Sequence, residues 1–294
     1  MGLISECASL PGKFIALVGV GTLVTYAATG QQPAASAPIT TPQLVARLVA
    51  AIDNVKSMRV TIEARERIEN RYVAAVSTIK LTTNPMRVYL KNQKGIELLY
   101  VTGANDGDAW VYPATFPYVT LSLDPQGSLM RRDQHHTVFQ TGFGTIADLL
   151  KDSEKLSDKT FYRSFRYAGD TAFQHRTCYI LRSDYPQFRY VAYKASANET
   201  PATVATRFNC GEYRILERNK LSIGEHLSAN QVIQVPNTYS KRTTILVDPK
   251  TFLPAAIAVY DDRGLYEQYN FSNVITNQPI PSEEFTKKFK GYKL

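Results

Sequence analysis

"MRVTIEAR", residues 58–65, sets Met58, Val60, Ile62 and Ala64 against Arg59, Thr61, Glu63 and Arg65. Successive side chains of a strand point to opposite faces, so this period of two buries one face and wets the other. The pattern returns at Tyr72–Leu81, Met86–Lys91, Ile96–Thr102 and Ala109–Tyr112, separated by Asn84-Pro85, Lys94-Gly95 and Asn105-Asp106-Gly107 turns. Strands joined by such short turns pair antiparallel. Phe161–Ala168 and Arg176–Arg182 follow around a Gly169-Asp170 turn. Arg242–Val247, Ala255–Tyr260 and Leu265–Phe271 complete the series, with turns at Asp248-Pro249 and Asp261-Asp262-Arg263-Gly264. Two helices flank it. Thr41-Pro42 reads as an N-cap with proline at the first helical position, and Leu44, Leu48, Ile52 and Val55 predict a helix over 41–56. Ile146, Leu149 and Leu150 predict a shorter one to about 152. The expected class is mainly antiparallel β (α+β): an extensive curled sheet with helices on its concave side, a natural container for an apolar ligand.

Composition agrees with a packed domain. Hydrophobic residues make up 44% and charged residues 20%, and 18 Tyr with 13 Phe favour strands. The net charge of +8 and pI near 9.2 fit an anionic partner: nucleic acid, phospholipid headgroups or an acidic envelope polymer. Residues 14–24 are apolar and uncharged, follow Lys13 and run into Ala27-Ala28. This reads as a secretory signal over 1–29, with a flexible Gly/Gln/Pro/Ala/Ser leader over 30–40. The expected location is therefore the periplasm or cell envelope, with no nucleic-acid partner and peripheral membrane contact allowed. Export permits disulfides; Cys178 and Cys210 would pair or stay as two free thiols, the second being favoured.

Two stretches resemble known families. Across about 41–188 and 239–294, on "YVTLSLDPQGSLMRRDQHHTVFQTGF" (118–143) and "VDPKTFLPAAIAVYDDRGLYEQYNFSNVITN" (247–277), the chain resembles a bacterial envelope family of unknown function, the one numbered fifteen seventy-one. The second stretch is also similar to the wider lipoprotein-carrier (LolA/LolB-like) group. That resemblance implies an unclosed half-barrel lidded by helices, here over 41–189 and 238–294, that holds a lipid or lipoprotein acyl chain. Between these segments, "YKASANETPATVATRFNCGEYRILERN" (193–219) and "LSANQVIQVP" (227–236) resemble a LysM module. The resemblance implies an inserted βααβ unit over 190–237 that binds peptidoglycan, with Asn198, Glu199, Thr200, Asn219 and Asn230 as glycan-binding candidates. Asn198 and Asn230 stand where that family has glycine, and asparagine is the next best residue at positive φ. An insertion whose ends meet is expected to be removable without unfolding its host.

"RRDQHHTVF" (131–139) raises the question of a site. Adjacent His135 and His136 in a strand would point apart, so one metal would need Asp133, His175 or His226 as well. No HExxH, CxxC, GxSxG or carboxylate cluster is present, and neither catalytic residues nor cofactors are assigned. The expected arrangement is a loop at the mouth of the curled sheet. Arg131 and Arg132 would face solvent or an anionic headgroup, and a histidine would fix the loop through a backbone carbonyl. Trp110, Tyr112, Phe116 and Tyr118 read as core. These residues support a non-enzymatic lipid-binding envelope protein. The alternative is an adaptor whose sheet is filled by its own side chains and whose only ligand is peptidoglycan.

Overall fold

Thr40, one residue before the expected cap, starts the first helix. Its hydroxyl accepts from Gln43 N (3.4 Å) while the Gln43 side chain accepts from Thr40 N (3.0 Å), a reciprocal capping box. Helix α1 (Thr41–Asp53) buries Leu44, Val45, Leu48 and Ile52. The computed structural model describes residues 39–155 and 164–294; the signal and most of the leader lie outside the described residues.

Strand β1 (Ser57–Ile68) pairs with β2 (Arg71–Thr83) in unbroken register from Ser57↔Thr82 to Ile68↔Arg71. Strands β3 (Met86–Asn92), β4 (Glu97–Val101), β5 (Ala109–Tyr112) and β6 (Leu121–Leu123) extend the meander on one side. On the other side of β1 lie β13 (Gly264–Thr276), β12 (Pro254–Asp261), β11 (Arg242–Val247), β8 (Arg176–Asp184) and β7 (Phe165–Phe173). These eleven strands of the described residues form one antiparallel, unclosed sheet with β6 and β7 at its edges. Gly169-Asp170 is not the β7–β8 turn. The register slips between Tyr167 and Asp170, with Gly169 at φ +96°, so this is a bulge inside β7. The chain turns instead at Gln174-His175, both at positive φ, the backbone that a two-residue hairpin requires.

Helix α2 (Gly144–Lys155) packs against α1, and both sit on the concave core with Met58, Leu181 and Ile245. No helix among the described residues is long and apolar enough to cross a membrane. A second cluster joins Tyr89 and Leu99 to Ile280 and Phe285, with Trp110 and Tyr292 packed against it. Tyr89 stacks on Tyr292 with centroids 3.7 Å apart, and Glu284 pairs with both Arg59 (2.6 Å) and Lys80 (2.5 Å). Residues 278–294 thus fill the opposite face of β3–β5.

Strand β9 (Tyr190–Lys194), helices α3 (Pro201–Arg207) and α4 (Glu212–Asn219), and strand β10 (Val232–Pro236) have the expected βααβ order. β9 and β10 pair only with each other, and Val204, Ile215, Leu227, Ile233 and Val235 form a separate small core. The excursion also packs on the sheet. Arg214 of α4 is 1% exposed and lies over the Tyr266 ring of β13 at 3.9 Å, donating to the Tyr239 carbonyl. Tyr213 stacks on His135 at 4.7 Å. Deleting the unit would strip these covers from the sheet, contacts that the expectation of a dispensable insertion did not include.

Candidate functional site: an apolar cavity with a carboxylate end

The concave face is not filled everywhere. Across β1 and β2, Ala64 faces Ala75 and Ile62 faces Ser77, so small side chains leave space where neighbouring pairs are large. Tyr269 and Phe271 of β13 flank the same positions. The result is a cavity of about 250 Å³, walled also by Ile79, Leu90 and Leu98 and roofed by residues 130–149. A second cavity of about 410 Å³ lies between the end of α1 and Met58, Leu81 and Met86. Thr141 lines both. Gly142, at φ +102°, brings the backbone so close to the sheet that a Cβ would sit 2.9 Å from the Leu81 side chain. Only glycine lets the strap press there.

At one end of the first cavity two carboxylates lie side by side. Glu66 on β1 and Glu267 on β13 are direct cross-strand partners, 7% and 2% exposed. Like charges so placed repel in a poorly solvated setting, so their surroundings must supply donors. Glu66 accepts from His135 N (2.9 Å) and from the Tyr269 hydroxyl. Glu267 accepts from the Tyr239 hydroxyl (2.8 Å), and its Oε2 lies 2.9 Å from His135 Nδ1 and 3.1 Å from His136 Nε2. Burial opposes charge on His136, but the adjacent Glu267 outweighs it and raises the imidazole to about 8. For Glu267 burial again opposes charge, and the two histidines reverse it, holding the carboxyl well below its usual range. Burial and the nearby carboxylates push Tyr239 and Tyr269 well above 10, so they remain donors.

The adjacent histidines therefore converge rather than diverge. Their segment is turns, not strand, with Asp133 at φ +59°. The loop-fixing bond expected of one histidine is present: His135 Nε2 donates to the Arg67 carbonyl at 3.0 Å. The headgroup assignment of Arg131 is corrected. It is 8% exposed and paired with Glu212 of α4 at 2.7 Å, because the loop is clamped under that helix. Arg132 is exposed, and Asp133 pairs with Arg71 at 2.5 Å. Trp110 and Tyr112 are half-buried, but Phe116 and Tyr118 are 85% and 63% exposed. The β5–β6 connection that carries them overhangs the sheet, so they are not core. Among the described residues no group of His, Cys, Asp or Glu is arranged to hold a metal ion, and Cys178 and Cys210 are free thiols.

In the βααβ unit, Asn198 and Asn230 adopt φ +62° and +67°, the conformation expected where glycine is usual. Thr200 caps α3 through Thr203 N (3.3 Å). Glu199 accepts from Ser196 N (2.7 Å) and Tyr193, and pairs with Arg207. Asn219 donates to the Ile215 and Gln234 carbonyls and accepts from Gln234 N, tying α4 to β10. Glu199, Thr200 and Asn219 thus serve the unit's own fold, while Asn198 and Asn230 face solvent.

The molecule is thus an open antiparallel half-barrel with a lined pocket. By sequence, residues 55–200 match the family described as "Protein of unknown function (DUF1571)", the family that 118–143 resembles. No curated protein matches the chain. Among solved structures it is similar to MucB in the MucA/MucB complex of Pseudomonas aeruginosa (13% identity, 83% of this chain and 59% of that chain, TM-score 0.39). The chain spans 62% of MucB solved alone. It is also similar to the lipoprotein LppX of Mycobacterium tuberculosis (11% identity, 82% of this chain, 98% of that chain, TM-score 0.39). A third is a LolA superfamily protein of Nitrosomonas europaea (10% identity, 86% of this chain, 100% of that chain, TM-score 0.29).

Proposed function

We propose that this protein is a non-enzymatic, exported envelope protein that holds an apolar chain of a lipid or lipoprotein in the concave cavity. The observation that carries the reading is the space over Ala64, Ala75 and Ser77, kept open in a sheet whose other face is filled over β3–β5. Alanine and serine at facing positions make room; a sheet meant to close on itself would place larger side chains there. An open pocket favours this over the filled adaptor. Export rests on the apolar run at 14–24. The exposed Phe116, Tyr118 and Val119, near Lys287 over Trp110 and Lys293 over Tyr112, support peripheral contact with a membrane. The test is mass spectrometry of lipids extracted from protein purified out of its native envelope. One lipid class near equimolar amount is expected, and its loss in Ala75→Phe, which fills the cavity. Bare protein overturns the reading.

A second reading has its own support: peptidoglycan binding by the 190–237 unit, favoured by the left-handed turns at Asn198 and Asn230. Co-sedimentation with purified peptidoglycan, strengthened in the double Asn→Gly variant, is expected. If neither form sediments, the unit is structural only.

A further inference from the structure

The charge of the cavity runs against the charge of the chain. The sequence carries 34 Lys and Arg against 26 Asp and Glu, yet among the described residues no Lys or Arg lines the cavity. Its ionisable lining consists of Glu66, Asp133, Glu267, His136 and the two phenols. Arg131 is turned away to Glu212, Arg71 is held at the mouth by Asp133, and the exposed Arg132 beside Asp133 is not part of the lining. His136, the cation of the described lining, is already matched to Glu267. An anionic group brought to this end would become a further negative charge beside two buried carboxylates, with no unpaired cation in the described lining to meet it. In a poorly solvated pocket such repulsion is far stronger than in water. A donor meets the opposite condition. Each Glu66 oxygen accepts one protein hydrogen bond, from Tyr269 and from His135 N, and a carboxylate oxygen has room for a second.

Resting on the carrier reading, we infer that the cavity selects an apolar ligand whose polar end carries hydrogen-bond donors and no negative charge, a hydroxyl or an ammonium, and rejects a free carboxylate or phosphate. The headgroup's donors engage Glu66 and the mouth carboxylate Asp133, and its chain lies over Ala64 and Ala75. The test uses three probes of one chain length: dodecylamine, dodecanol and dodecanoate, each below its micellar concentration. They compete with a neutral N-phenylnaphthylamine reporter at fixed ionic strength and neutral pH. The amine and alcohol are expected to displace the reporter at roughly tenfold lower concentration than dodecanoate. Glu66→Gln narrows that gap. Asp133→Asn, at an exposed position where folding is not at stake, narrows it less. Dodecanoate binding as well as the other two, or a gap unchanged in both variants, overturns the inference while leaving the carrier reading intact. Failure of all three probes, with no co-purifying lipid, overturns both.

Discussion

The two faces of this sheet solve opposite problems. On β3–β5 the residues that face outward, Tyr89, Leu99 and Trp110, meet Ile280, Phe285 and Tyr292, and ion pairs to Glu284 close the seam. On β1, β2 and β13 the inward face includes alanines, a serine and paired glutamates among larger side chains, and space remains. The chain thus has both means and material to fill a surface. The cavity is a choice of side chains, and the polar cluster beside it belongs to that choice.

Four measurements would break or sharpen this contrast. The largest effect is expected at the filled face. Phe285→Ala removes a buried ring and should cost about 3–5 kcal/mol in urea denaturation; a loss under about 1 kcal/mol would mean that 278–294 does not close that face. Next comes the polar cluster. Folding raises His136 from an ordinary value near 6.5 to about 8. Its contribution is therefore complete below about 6.5 and is lost as pH rises through about 8, on the order of 1–2 kcal/mol. His136→Gln should flatten stability across that window. Glu267, depressed on folding, has the opposite sign: its contribution is present above the ordinary carboxylate range and disappears in acid. Third, Ala75→Phe adds a ring where there is room, so the stability change should stay within about 1 kcal/mol while lipid is lost. A penalty above about 3 kcal/mol would show the cavity to be tightly packed. The smallest effect is at the β5–β6 tip. Phe116→Ser with Tyr118→Ser should move stability by under about 0.5 kcal/mol, yet reduce association with anionic vesicles. Unchanged association would remove the membrane-contact reading.

Most of the sheet was legible because alternation is a local signal. The run Met58, Val60, Ile62, Ala64 needed only neighbours in sequence, and the strands read from such runs are present, the one expected over 161–168 from Phe165 onward, with 161–163 outside the described residues. What failed was non-local or short. β6 spans three residues and shows no period. Glycine at 169 marks a bulge as readily as a turn, and only pairing with β8 decides between them. Arg131 reads as a surface charge because nothing local announces Glu212, and nothing local ties Arg214 to Tyr266. The carboxylate end was half visible. Counting the β1 alternation two residues past Ala64 puts Glu66 on the inward face, and counting back from Phe271 through Tyr269 puts Glu267 there too. That signal went unread, whereas the pairing of the two glutamates depends on a register between strands far apart in the chain.

That register has a consequence for how the molecule is made. β1 sits in the middle of the sheet, but one of its two neighbours, β13, is synthesised some two hundred residues later, so Ile62 waits for Phe271 and Glu66 for Glu267. At ordinary elongation rates the wait is roughly 10–40 s. Throughout it β1 presents an open edge, an apolar face and half of the cavity wall. A ribosome that stops before β13 therefore releases a chain without that cavity, whose free β1 edge is ready to pair with another chain.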